Sequence, residues 1–305
     1  MSKEKILIAG GSGLVGQHLA NHLFDKGYDI AILSRSKKEH PNFDYYQWDI
    51  EKKVIDKAAL HVDHIINLTG AGIADKRWTD QRKKILINSR VDSTLLLQQG
   101  LKENNRRVKS YTSASAIGIY GDRDAELLTE ESPIGQDSFM VQCCKAWEQA
   151  AFTLNDYCDR LAVIRIGIVI SSKGGALDKF VLPIKLGQAN YFGNGKHFYS
   201  WIHIEDLSRI FYQCVQNSSF KGVINGVTPS PITNKEFIKE CKLAIAKYAL
   251  VYPIPKFFMK LFLGEMSAVI LNSNRVIPEF LNNHKFDFSF KNLSEAVKDV
   301  MRRKI

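Results

Sequence analysis

The run Lys5-Ile6-Leu7-Ile8-Ala9-Gly10-Gly11-Ser12-Gly13-Leu14-Val15-Gly16 constrains this chain more than any other stretch. An apolar segment meets three glycines spaced G-x-x-G-x-x-G. Leu19, Ala20, Leu23 and Phe24 then recur at helical spacing until Lys26-Gly27. The pattern predicts a strand, a tight turn and a helix. The first glycine permits the turn, the second lets backbone approach a pyrophosphate, and the third lets helix and strand pack closely. Free N–H groups at the helix start then face the phosphates. The alternative is an ordinary strand-to-helix turn. The position of the glycines, after a strand and before a helix, favours a dinucleotide site.

The same alternation continues. Strands are expected at 5–9, 29–33, 44–48, 64–68, 108–113 and 161–166, with helices at about 13–26, 80–103 and 139–157. Apolar strands alternating with helices predict an α/β fold: a Rossmann-type, doubly wound parallel sheet covered on both faces. After Ile170 the texture changes, with loops at 171–175, 187–196 and 227–231. This assigns residues 1–170, plus about 205–227, to an NAD(P)-binding Rossmann domain. A smaller C-terminal substrate lobe takes about 171–204 and 228–305. Asn225 is expected on a strand returning to the main sheet. Pro253-Ile254-Pro255 leads into apolar residues at 257–263 and 266–271. The favoured reading of these is lobe core; the alternative is a homodimer face. A last helix is expected at about 293–303, with Leu293, Ala296, Val297 and Val300 on one face.

Composition removes several classes. The five cysteines are odd in number and lack C-x-x-C spacing, which fits reduced thiols better than a disulfide framework or a zinc site. No apolar run approaches the ~20 residues of a membrane span. The start has no signal-peptide architecture, so a cytoplasmic protein is expected. The net charge of +10 raises nucleic acid or anionic lipid as partners. The basic residues are dispersed, however, with one short run at Arg302-Arg303-Lys304 and no aromatic-interleaved stripe. The expected partner is a small molecule, with no nucleic acid and no membrane.

The end of the second strand bears on the cofactor. NAD sites usually place Asp or Glu there, on the ribose hydroxyls. Here Ala31-Ile32-Leu33 runs into Ser34-Arg35-Ser36, without an acid. Hydroxyls and a guanidinium suit a ribose 2′-phosphate, which favours NADP over NAD. An exposed loop arginine is the alternative for Arg35. Further along, Asn67-Leu68-Thr69-Gly70-Ala71-Gly72 ends the strand at 64–68, on the edge that lines the cofactor crevice. Arg90 is a second candidate cation for the dinucleotide, with a surface helix arginine as its alternative.

These features, with Ser200-Trp201-Ile202-His203-Ile204-Glu205-Asp206 and Gly222-Val223-Ile224-Asn225, resemble the extended short-chain dehydrogenase/reductase (SDR) superfamily. Arg77-Trp78, Ser89-Arg90, Trp147-Glu148, Gly174-Gly175-Ala176-Leu177 and Arg275-Val276-Ile277-Pro278 further resemble one atypical branch, named after nucleoside-diphosphate-sugar epimerases. The likeness runs from about residue 5 to 300. It implies NADP held by Gly10, Gly13, Leu14, Val15, Gly16, Ser34 and Arg35. It also implies that Leu68, Thr69, Gly70, Arg90, Lys145 and Val169 lie near the cofactor. The activity implied is epimerase-, reductase- or dehydratase-like, on a small or nucleotide-linked substrate.

Active SDR enzymes use a Tyr-x-x-x-Lys pair after strand five, with a serine before it. The lysine lowers the tyrosine pKa from about 10, so that the phenolate can move a proton near neutral pH. In this chain Val141 stands at the tyrosine position of Val141-Gln142-Cys143-Cys144-Lys145, and no tyrosine lies anywhere in 137–151. A valine cannot transfer a proton. The branch that the chain resembles shares this lack. Ser115, or else Ser113, takes the serine role, and Ser115 and Lys145 are the candidate catalytic residues. Lys145 has two readings, a ribose contact and a salt bridge with Glu148. Tyr120, Cys144 and His203 are candidate substitutes whose packing or structural readings are favoured. Asp206 is a candidate helix cap, and Lys185, Arg275 and His197 are candidate substrate cations. Two functions stay open: an NADP-dependent enzyme with a degenerate site, or a non-catalytic NADP(H)-responsive regulatory protein.

Overall fold

The structure, a computed structural model, describes residues 3–36 and 39–303. Lys304, the end of the basic run, lies outside them. Eight strands form the central sheet: β1 (Lys5–Ala9), β2 (Asp29–Ser34), β3 (Phe43–Asp49), β4 (Val54–Ile55), β5 (His64–Asn67), β6 (Val108–Ala116), β7 (Cys158–Ile166) and β8 (Gly222–Gly226). Their order is β8-β7-β6-β5-β1-β2-β3-β4. All pair in parallel except β4, an antiparallel two-residue edge too short to leave a pattern in the sequence. Asn225 lies on β8, in register with Arg165 of β7.

Side-chain alternation explains why both faces of the sheet are covered. On β1, Ile6 and Ile8 face one way and Leu7 and Ala9 the other. Ile6 and Ile8 join Leu19 and Leu23 of α1 (Leu14–Asp25). Leu7 and Ala9 join Leu96, Leu97 and Leu101 of α2 (Asp80–Glu103) and Ala151 of α3 (Phe139–Phe152). Helix α3 stops at Phe152, short of the expected 157, and a tight turn at Asn155–Tyr157 leads into β7.

A separate core gathers the later elements α4 (Ala176–Lys185), α6 (Asn234–Ile245) and α8 (Leu293–Arg302) around Trp201 and Phe237. Helix α5 (Ile204–Gln216) instead packs on the sheet core through Leu207 and Phe211. One expectation fails here. Helix α7 (Lys256–Leu263) is not lobe core, because none of its eight residues is buried.

The chain leaves β1 for β2 and β3 in one direction, then crosses back to build β5, β6, β7 and β8 on the other side. The switch point therefore falls between β1 and β5, where ligands of such sheets bind beyond the strands' carboxyl ends. The loops after β1 and after β5 meet there.

Candidate functional site

The glycine loop is closed against itself and against the β5 loop. Gly10 has φ +79°, a left-handed conformation, and a Cβ there would lie 2.9 Å from the Leu68 carbonyl carbon. A Cβ on Gly16 would lie 2.6 Å from Gly10 O. The first turn of α1 can thus sit directly on the loop only as glycine. Gly13 differs: it is the exposed N-cap, and a Cβ would meet only Gly10 O, at 3.4 Å. No side chain caps α1, and no acidic residue occupies its first turn. The free N–H groups and the positive end of the helix dipole are open to an anion, beside Leu14 and Val15.

The β5 loop forms the opposite wall. Leu68 N–H donates to Ala9 O at 2.8 Å, and Thr69 N–H to Asn67 Oδ1 at 3.0 Å. Asn67 itself donates to the hydroxyls of Thr94 and Tyr111. Thr69 Oγ1 is buried without a hydrogen-bond partner among the described residues. Gly70 lies against the Arg90 guanidinium, its would-be Cβ 2.9 Å from Cζ.

Arg90 is not a surface residue. It is 9% exposed, donates to the carbonyls of Leu86 and Ala71, and stacks 4.8 Å above the Trp147 ring. Burial pulls its pKa below the usual arginine value. No carboxylate pairs with it among the described residues. A buried positive charge at the crevice is thus left for a ligand to balance. Arg35, just beyond β2, is exposed and has no side-chain partner among the described residues; Ser34 beside it is buried. Val169 is half-buried on the short strand Ile168–Ile170, and its carbonyl faces Gly175, which in turn abuts Leu14.

These features suit a phosphate-rich dinucleotide: an uncapped helix start, a loop that admits backbone contact, a buried unpaired guanidinium and a free arginine beyond β2. Among the described residues, no cluster of His, Cys, Asp and Glu could hold a metal ion.

The candidate catalytic residues are arranged otherwise. Ser115 Oγ donates to Glu148 Oε1 at 2.7 Å. Arg165 also binds Glu148, through Nε at 2.9 Å and Nη2 at 3.0 Å. Arg165 Nη1 donates to Tyr120 OH at 2.9 Å, and that hydroxyl donates to Asn225 Oδ1 at 2.8 Å. All of these residues are buried. Lys145 is exposed, with no side-chain partner among the described residues. The structure does not bring it to Ser115, nor to Glu148, which Arg165 has taken. Val141 is buried. On α3 the i, i+4 pair turned to the Ile117–Tyr120 turn is Met140 and Cys144: a Cβ on Gly118 would lie 2.8 Å from Met140 Cε and 3.7 Å from Cys144 Sγ.

The NAD dependent epimerase/dehydratase family model matches residues 6–225. The chain belongs to this family. A domain of unknown function (DUF1731) matches residues 254–300 of this family member. Epimerase family protein YfhF of Bacillus subtilis is 31% identical over 97% of both chains. Among solved structures, human epimerase family protein SDR39U1 with NADPH is similar at 28% identity and TM-score 0.87, over 98% of this chain and 99% of that one. The nucleoside-diphosphate sugar epimerase of Corynebacterium glutamicum is 30% identical with TM-score 0.76, over 97% of this chain and 57% of that one.

Within this epimerase-family fold the remaining candidates have defined surroundings. Tyr120 is fully buried and burial raises its pKa, so it packs instead of exchanging protons with a ligand. Burial pushes the Cys144 thiol up to about 12, which keeps it protonated near neutral pH. His203 is the N-cap of α5: its ring accepts from Glu205 N–H at 3.2 Å. Asp206, expected as that cap, instead accepts from the Ser289 and Phe290 N–H groups at 2.9 Å each and ties the C-terminal segment down. His197 is buried edge-on to Tyr199, Arg275 stacks on Phe198, and Lys185 is exposed. Sequence reasoning missed Arg165 and its hold on Glu148. The only signal was a charge inside an apolar strand.

Proposed function

We propose that the protein is an NADP(H)-binding member of the epimerase family that acts on a small carbonyl or nucleotide-linked substrate at the switch point. The observation that carries this reading is the pairing of an uncapped α1 start with Arg35. No carboxylate lies between Asp29 and Glu39 to repel a 2′-phosphate. Gly10, Gly13 and Gly16, with Leu14 and Val15, hold the pyrophosphate through backbone N–H groups. Ser34 and Arg35 bind the 2′-phosphate. Leu68, Thr69, Gly70 and Val169 line the ribose and nicotinamide path, and Arg90 supplies the buried balancing charge. When bound, the dinucleotide supplies a hydride donor or acceptor. The solved structure of human SDR39U1 with NADPH supports the choice of cofactor.

A second reading is favoured by the state of the acid–base groups. Ser115 has its proton committed to Glu148, Val141 has none to give, and Lys145 stands in solvent. In that reading the protein binds NADP(H) and responds to it without turnover. Deuterium exchange separates the two. If the chain is an enzyme, deuterated NADPH should transfer label to a member of a carbonyl panel, or NADP+ should take label from a deuterated member of a sugar-nucleotide panel. Tight NADPH binding with no transfer to any of them favours the responsive binder.

A further inference from the structure

The strand Gln188–Phe192 pairs in parallel with Leu250–Ile254, Asn190 opposite Tyr252. This lays side by side two stretches, 179–204 and 241–264, which together hold seven lysines and no carboxylate. Asp178, Glu205, Glu240 and Glu265 flank them, and Glu205 and Glu265 are engaged with His22 and Lys83. The fold sets the Lys256 stem against Gly193 and the Tyr248 hydroxyl on the Lys185 carbonyl, so lysines distant in sequence come to this part of the molecule.

The same ridge exposes large apolar side chains. Leu186 is 71% exposed and Leu250 72%, and Leu250 N–H donates to the carbonyl of Gly187, the residue after Leu186. Phe257 and Phe262 of α7 are each 67% exposed, with Leu261 between them. Lys256 and Lys260 sit among them at i, i+4, and the Lys256 stem lies over Gly193 at the end of the paired strand. An eight-residue helix with nothing buried gains no stability from a core, so its phenylalanines need another partner. A second copy of this chain is a poor one. A two-fold contact would set the same lysines against each other.

We infer that this ridge docks on an anionic lipid surface. Phe257, Phe262 and Leu261 enter the boundary between headgroups and acyl chains, and the lysines stay level with the anionic headgroups. Among the described residues no helix is long and apolar enough to cross a membrane, so the contact is with the surface.

The full chain is sedimented with vesicles of phosphatidylcholine and phosphatidylserine in equal parts, and with vesicles of phosphatidylcholine alone. The expected result is binding to the first only, weakened by salt. Lys256→Glu with Lys260→Glu should lower the partition coefficient by about tenfold or more. Phe257→Ser with Phe262→Ser should lower it comparably, while the thermal midpoint stays unchanged because all four side chains are exposed. No binding to anionic vesicles at low salt overturns the inference. So does binding to polyglutamate but not vesicles, which assigns the ridge to an acidic protein. Binding that needs the lysines but not the phenylalanines overturns it as general charge attraction. A dimer dissolved by Phe257→Ser with Phe262→Ser, without vesicle binding, assigns the ridge to self-association.

Discussion

Ser115 donates its hydroxyl proton to the Glu148 carboxylate, 2.7 Å away, and the same oxygen accepts from Arg165 Nε at 2.9 Å. The serine nearest in role to an SDR catalytic serine is thereby built into a buried ion pair that ties α3 to β6 and β7. Glu148→Ala strands Arg165 as an unpaired buried charge and should cost about 3–5 kcal/mol, read by urea unfolding. Replacing both, Glu148→Leu with Arg165→Met, should recover most of the loss. Ser115→Ala should cost only about 1 kcal/mol, since the ion pair survives. A Glu148→Ala loss no larger than that of Ser115→Ala would contradict the account.

The glycines of the first loop should separate by position. A Cβ on Gly16 meets backbone at 2.6 Å, so Gly16→Ala should destabilise by about 1–3 kcal/mol as well as weaken NADPH binding. Gly13→Ala has room inside the protein. It should leave stability within about 0.5 kcal/mol of the parent. It should still weaken NADPH binding by about tenfold, equivalent to about 1.4 kcal/mol, because the proposed site puts the pyrophosphate against the uncapped helix start that the new methyl group would crowd. Paired thermal melts and fluorescence titrations read both quantities; unchanged affinity in Gly13→Ala would be the contrary result.

Acid should weaken the fold in two windows. Burial holds His203 down to about 4, against the opposing pull of Asp299, and burial depresses His18 as well. A histidine kept neutral when folded gains its proton first in the unfolded chain. Stability is therefore full above pH ~6.5 and falls as pH drops toward ~4, by up to about 1.4 kcal/mol per pH unit per group. The hydrogen bond from His22 holds Glu205 down to about 2. Its contribution is present above pH ~4.5 and is lost as pH falls toward ~2. His203→Asn should make the upper window shallower, with His18 carrying what remains, and leave the lower one. A thermal midpoint that does not change between neutral pH and pH ~5 would contradict this.

The thiols should be silent in the native protein. All five cysteines are unpaired and buried, and burial pushes Cys144 and Cys214 up to about 12 and Cys158 up to about 11. An aromatic disulfide reagent should label none of them rapidly before denaturation and all five after it. Rapid native labelling of Cys144 would reopen it as a candidate nucleophile.

The legible parts of this chain were those written locally. Strand β1, its glycine turn and α1 follow from apolar spacing and backbone freedom within some twenty residues, and the Ser34-Arg35 turn follows directly from β2. What stayed hidden was non-local. Glu148 is 17 residues from Arg165, Ser115 is 33 from Glu148, and Tyr120 is 105 from Asn225. No spacing rule joins such partners. Helix α7 departs from expectation for a related reason. Apolar residues at helical spacing indicate a face, but whether that face is covered depends on elements elsewhere in the chain. Asp206 likewise has the composition of a local cap and serves Ser289 and Phe290 instead.

The central claim is that Arg35 and the uncapped start of α1 together hold NADP(H). Titrating the wild-type chain and Arg35→Ala with NADPH and with NADH, by quenching of tryptophan fluorescence, tests it most directly. The account predicts that Arg35→Ala weakens NADPH by about tenfold or more, the loss of one charge-assisted phosphate contact of roughly 1.5–3 kcal/mol, and leaves NADH nearly unchanged. Equal losses for the two nucleotides, or no NADPH binding by the wild-type chain, would contradict it.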